Sequence, residues 1–533
     1  MVGKIKFQLI LTIFGLFSFL SAQNNLPHLS LVEELGCGNC HIGAQKSNIV
    51  LQRAPDLNYA RLKYNEAYLF DYLSAPYKFR DNIGQSRMPN FGFSDDEAFA
   101  LTKYLMTQER LPYDKKLKEI SLIKSANGFE IIHVDYQCTS CHILNNSGEK
   151  QSTDLTIAGT RLNKDWLFDF VQNPSEYVPK GSSMPDFFGN DIGHNLGENS
   201  NKTILSIVSY LIEIGAEKRN ELDVRYAKVK QAYPNVTTEM GRSIFLSQNC
   251  QSCHEMSNEI PWYQTNAPDL TAQRMRTKKA WLTYYLKSPT AIRPFGYLPG
   301  TGSRMPDFQL TDSEVEELTK WLGEAKLKTV LEPISAFQSR KVERLLNDFL
   351  PCLGCHQLDG KGGMIGPDLS NVGNRLTDGF IKMAVTNPHM VMPGSTMPKT
   401  IMDSRFIPLI LSYLASRKSD QKASYPNLIE QMPYNVVNNY GANCAPCHGL
   451  NGDGNGFNAS NLPVEPGDFT NSDLLGSKSD DTLFDTIYVG GRVMNKSHFM
   501  PGWGEKLSRS DIIKHIQKIR DFCACEAPDW ANN

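Results

Sequence analysis

The chain has 533 residues, 41% of them hydrophobic, with 55 Lys and Arg against 57 Asp and Glu. That length calls for several cores rather than one, and the near-balanced charge excludes a protein that binds nucleic acid through a broad basic face. Twelve cysteines would suggest disulfides in an exported chain, but their spacing points elsewhere.

The first 22 residues read as a secretory signal. Lys4 and Lys6 precede an apolar run from Phe7 to Leu20, and Ser21 and Ala22 follow, which is the order charged, apolar, small. The run is shorter than the roughly 20 residues that span a bilayer as a helix. Cleavage after Ala22 and a periplasmic or otherwise exported location are expected, with an uncleaved membrane tether as the alternative. No later segment has the pattern of a membrane span.

Five segments follow. Segment one (23–115) carries CGNCH (Cys37, Cys40, His41), then Pro55-Asp56-Leu57, an aromatic-led stretch YLFDYLSAP from Tyr68, and QSRMP with Met88. Segment two (116–222) carries CTSCH (Cys138, Cys141, His142), Thr153-Asp154-Leu155, WLFDFVQNP from Trp166, and GSSMP with Met184. Segment three (223–330) carries CQSCH (Cys250, Cys253, His254), Pro268-Asp269-Leu270, WLTYYLKSP from Trp281, and GSRMP with Met305. Segment four (331–425) carries CLGCH (Cys352, Cys355, His356), Pro367-Asp368-Leu369, FIKMAVTNP from Phe380, and GSTMP with Met397. Segment five (426–533) carries CAPCH (Cys444, Cys447, His448), PVEPGDF from Pro463, and HFMP with Met500. A pattern recurring at about 100 residues predicts one structural unit per copy.

Cys-x-x-Cys-His has a specific chemistry. Two thiols three positions apart on a helical turn meet the two vinyl groups on one edge of a haem and form thioethers, and the adjacent histidine reaches the iron. A redox disulfide needs no histidine, and no βαβ pattern surrounds these copies. Zinc needs four ligands close together, whereas these pairs lie far apart in sequence. Five haems c, covalently bound, are therefore expected.

A methionine thioether is a soft donor that can take the opposite iron position and raise the reduction potential. The alternative for any methionine is core filling, but a Met-Pro at a matching place in every segment favours ligation. In segment four Met390 and Met392 lie close by, and Met397 is preferred for its GSTMP frame. Met432-Pro433 precedes the last motif and has no matching place.

Apolar residues at offsets of three and four, closed by proline, read as helices in the aromatic-led stretches. FSDDEAFALTKYL from Phe93, LTDSEVEELTKWL from Leu310 and LSRSDIIKHIQKI from Leu507 read as capped helices, and TEMGRSIFLSQN before Cys250 as an opening helix. The fold class is all-α: each segment is a small helical bundle around one haem. Polar linkers near 113–125, 218–238, 328–340 and 417–433 are expected to allow motion between units.

The chain resembles class I cytochromes c fused in tandem, over nearly all of its length after the signal. GRSIFLSQNCQSCH from Gly241, CHQLDGKGGMIGPDL from Cys355 and CHGLNGDGNGF from Cys447 carry the resemblance. It implies five cytochrome c-like domains, motif cysteines that bind haem, motif histidines as proximal ligands and Met-Pro methionines as distal ones. It also implies that Pro55, Pro268 and Pro367 accept a hydrogen bond from the proximal histidine, fixing its ring. Segments two and five depart from the turn, and segments one and two lack the Gly-rich loop.

Some residues stand outside the pattern. Cys523 and Cys525 are too close for a haem site and read as an incidental disulfide or free thiols. His28, His133, His194, His389, His498 and His515 read as surface or loop histidines, with His389 and His498 the rivals to the methionines. Asp453 and Asn455 do not match an EF-hand. The expected role is an electron carrier between extracytoplasmic redox partner proteins, a membrane respiratory complex among them, because a saturated iron leaves no place for substrate. The competing class is a haem-dependent oxidoreductase with one open iron.

Overall fold

The structure is a computed structural model and describes residues 30–78, 84–124, 127–178, 184–188, 198–256, 267–323, 329, 331–392, 395–400, 402–420, 422–430 and 439–531. The signal segment 1–22, His28, His194 and Met432-Pro433 lie outside the described residues.

Helices dominate, and they form where periodicity and caps place them. The aromatic-led stretches fold as Glu66–Ser74, Lys164–Gln172, Lys279–Lys287 and Asp378–Thr386. Asn65 accepts from the Tyr68 N–H at 2.9 Å and Thr377 from the Phe380 N–H at 3.2 Å, satisfying donors that a helix start leaves unpaired. A proline two residues past each end stops the helix. The closing helices Asp95–Leu105 and Asp312–Leu322 begin with capping boxes, Ser94 with Glu97 and Thr311 with Glu314, in which each side chain satisfies the other's backbone N–H. The last, Arg509–Cys523, is capped by Ser508 with Asp511.

Apart from isolated bridges, β-structure among the described residues is confined to two hairpins after the second and fourth motifs. Ile143–Leu144 pairs antiparallel with Ser147–Gly148, and Gln357–Leu358 with Lys361–Gly362. Their turns, Asn145-Asn146 and Asp359-Gly360, have positive φ at both central positions, which short polar side chains and glycine tolerate best.

Segments two, four and five each bury most of their own apolar face. Segments one and three do not. The opening helix of segment three, Thr238–Ser247, packs along the closing helix of segment one, Asp95–Leu105. Gly241 makes this crossing possible, because a Cβ there would overlap the Ala100 carbonyl oxygen. Conversely, Leu31, Val32 and Leu35 of segment one share a core with Leu282, Val315 and Leu318 of segment three. The expectation that 23–115 and 223–330 each close on themselves is therefore corrected: the two segments are intertwined.

The polar linkers are also corrected. Residues 218–232 continue one helix, Glu198–Ala232. Its first half buries Ile204, Val208 and Leu211 in the core of segment two, and its second half buries Leu222, Tyr226 and Val229 in the core of segment one. Residues 425–428 cross the joint between segments one and three: the Leu428 N–H donates to Glu97 at 2.6 Å and Arg304 donates to the Pro426 carbonyl at 2.9 Å. In 113–125, the Ile120 N–H donates to Asp165 at 2.8 Å, and Leu331 and Ile334 of 328–340 pack on the segment-four core.

Candidate haem-binding sites

All ten motif cysteines are free thiols, whereas Cys523 and Cys525 are joined as a disulfide. Burial pushes the thiols of Cys37, Cys253 and Cys444 up to about 12 and that of Cys352 up to about 11. A buried, protonated thiol is a poor thiolate nucleophile, which disfavours a dithiol redox role. Among the described residues no cluster of three or more His, Cys, Asp or Glu could hold a bare metal ion.

Every motif histidine is oriented the same way. Nδ1 of His41 lies 2.8 Å from the Pro268 carbonyl oxygen, and those of His142, His254, His356 and His448 lie 2.7, 3.0, 2.8 and 2.9 Å from the carbonyls of Thr153, Pro55, Pro367 and Gly467. A carbonyl only accepts, so Nδ1 carries the proton in each and Nε2 keeps its lone pair. Burial lowers all five imidazoles below their ordinary value, keeping them neutral as a metal ligand must be.

The first, third and fourth motifs border large, mostly apolar cavities. One is walled by Cys40, His41, Cys253 and His254, with Met88 and Met305. A second joins Cys37, His41 and Met305 to Cys355, His356 and Met397. Met184 and Met500 are half-buried and lie outside these two walls. The second wall also presents Arg276, Arg293 and Arg375. None of the three is within ion-pair distance of a carboxylate among the described residues, and burial lowers all three, Arg375 to about 10. Guanidinium groups desolvated in a cavity wall without a direct ion pair are costly and fit the carboxylates of a porphyrin. Thiols, oriented imidazoles, an apolar cavity and buried arginines together fit a covalently held haem.

Sequence reading did not find these arginines, although a signal was present. Lys63, Arg161, Arg276 and Arg375 occupy one position, eight residues past the turn. The next position forms a bridge between segments, Tyr64 with Leu162 and Thr277 with Leu376. It also missed Asn458, fully buried, whose side chain donates to the Gly354 carbonyl at 2.9 Å and approaches the Cys447 sulfur at 3.4 Å, linking the fourth and fifth motifs. The first and third motifs are linked similarly: Asn39 donates to the Ser252 carbonyl at 2.8 Å, and the Ser252 hydroxyl lies 3.7 Å from both Cys40 and Cys253.

His133, His389, His498 and His515 each keep a buried Nε2 without a protein partner. His515 is a core residue of Arg509–Cys523 rather than a surface one.

The family model for cytochrome c matches residues 238–326 and 344–416. The match supports a haem-based electron-transfer protein of cytochrome c type, with haem c bound covalently. No curated protein matches the chain. The matched span 238–326 contains the opening helix and motif of segment three, which the fold places against segment one.

Proposed function

We propose that the chain is a five-haem c-type cytochrome that passes electrons between redox partner proteins outside the cytoplasm. The observation that carries this reading is the common setting of the five motif histidines, each with Nδ1 held by a backbone carbonyl, which leaves Nε2 without a hydrogen-bond partner among the described residues. A structural histidine has no reason to repeat that arrangement five times, whereas a ligand needs its tautomer and ring orientation fixed by an outer partner. A bound haem supplies one-electron uptake and release. The residues hold it by Cys37 and Cys40, Cys138 and Cys141, Cys250 and Cys253, Cys352 and Cys355, and Cys444 and Cys447. The methionines Met88, Met184, Met305, Met397 and Met500 would offer the iron a soft sulfur donor, and an iron held on both sides would favour transfer over catalysis. Export rests on the charged, apolar, small order of residues 1–22. Among the described residues no helix is long and apolar enough to cross a membrane.

The test is haem quantification on the natively produced protein, with mass spectrometry of the five motif peptides. Five haem adducts support the reading, and any motif peptide without one overturns the count. Stoichiometric carbon monoxide binding by the reduced protein would expose an open iron and favour an oxidoreductase instead.

A further inference from the structure

We propose that segments one and three exchange halves of their haem sites, so that His41 is paired with Met305 and His254 with Met88. This rests on the reading that both motifs carry haem.

Segments two and four show the unexchanged arrangement. There the motif histidine bonds to the turn of its own segment, and the turn leucine N–H returns a bond to the residue after the histidine: Leu155 to Ile143 at 2.8 Å and Leu369 to Gln357 at 2.8 Å. In segments one and three the same two bonds cross over. His41 bonds to Pro268 and the Leu270 N–H to the Ile42 carbonyl at 2.8 Å, while His254 bonds to Pro55 and the Leu57 N–H to the Glu255 carbonyl at 3.2 Å.

The helices that frame each site follow the crossed bonds. Met88 packs against the core that contains Cys250, Phe245 and Leu101, and Cys37 packs against the core that contains Leu282, Leu310 and Leu318. Cys37, His41, Pro268 and Met305 line both cavities: the one shared with Met88 and the third motif, and the second, whose wall includes neither Met88 nor any residue of the third motif. The two sites abut, and Ser86 also donates to the Glu34 carbonyl at 2.8 Å.

A reciprocal latch holds the exchanged halves. Arg87 and Arg304 each precede a methionine, and each pairs with the capping-box glutamate of the other segment: Arg87 with Glu314 at 2.8 Å and Arg304 with Glu97 at 2.7 Å, all four side chains being under a tenth exposed. Asn90 and Asp307, two positions past each methionine, exchange both backbone bonds at 2.7 Å. Residue i contacting j while its counterpart j contacts i is the mark of a two-fold joint, here made within one chain.

The experiment uses the full chain with the first motif disabled, Cys37→Ala with Cys40→Ala. Met88→Ala or Met305→Ala is then added, and the optical and magnetic-resonance signals of thioether-ligated haem are counted. The exchange requires Met88→Ala to remove one haem's signal and Met305→Ala to remove none. In the reciprocal background, Cys250→Ala with Cys253→Ala, the pattern inverts. Loss through Met305→Ala in the first background, or equal effects of the two substitutions, overturns the exchange. Mass spectrometry of the motif peptides tests the underlying reading separately. Haem present with pairing in sequence order sinks the exchange alone, and haem absent from both motifs sinks the reading and the exchange with it.

Discussion

The Nδ1 atom of His41 lies 2.8 Å from the carbonyl oxygen of Pro268, 227 positions further along the chain. That bond, with its counterpart between His254 and Pro55 at 3.0 Å, makes segments one and three a single interdependent unit. The joint between them contains most of what can be tested by substitution.

Gly241→Val is expected to destabilise both segments at once. A side chain there meets the Ala100 carbonyl at the crossing of Thr238–Ser247 with Asp95–Leu105. Overpacking a tight contact costs about 1–3 kcal/mol. Thermal unfolding followed at the haem bands checks it, and a change confined to one haem would contradict it.

Arg304→Met is expected to cost about 3–5 kcal/mol, because it leaves the Glu97 carboxylate buried without its counter-charge. The double variant Arg304→Met with Glu97→Leu should recover most of that loss. A double-mutant cycle in denaturant measures the coupling, and additive single effects would show that the ion pair does not act as a unit.

The partner latch gives a pH dependence. Burial alone would raise the Glu314 carboxyl, but the hydrogen bond from Arg87, the bond from Thr311 and the Arg87 charge outweigh it and hold the group below its ordinary 4.5. A carboxylate depressed in the folded state adds stability that is complete above its unfolded value and is lost as pH falls through the folded one. The stability gap between the parent chain and Glu314→Gln should therefore be largest near neutrality and shrink below 4.5. A gap that grew with acid would refute the assignment.

Cys523 and Cys525 close a loop of only a few residues, and loop-closure stabilisation grows with loop length. Replacing both with serine should cost no more than about 2 kcal/mol and leave the haem count unchanged. Loss of a haem would give the pair a role beyond the chain end.

The sequence made the elements legible and left the pairing hidden. Helices such as Lys279–Lys287 and Arg509–Cys523 follow from apolar spacing, caps and proline stops, all of which are local. The exchange is not local. Segments one and three carry the same Arg-Met-Pro and the same capping-box glutamate, so each half offers the same chemistry to either partner, and no short-range rule says which one it meets. The stretch 218–232 departs from its linker-like composition for a different reason. Its composition is polar, but Leu222, Tyr226 and Val229 lie at helical offsets on one face, and that sparse stripe was the missed sign. The hold of residues 425–428 on Arg304 and Glu97 uses backbone groups that composition does not report.

The intertwining has a consequence for how the molecule is made. Ribosomes deliver the N-terminus first, at about 5–20 residues per second. The first Cys-x-x-Cys-His thus emerges roughly 10–45 s before residues 268–322, which form the other wall of its pocket. During that interval its two thiols are fully reachable, as thioether formation requires, and once the wall closes they are half-buried. Crossing the halves would give biosynthesis a waiting period in which porphyrin can be loaded before the cradle shuts.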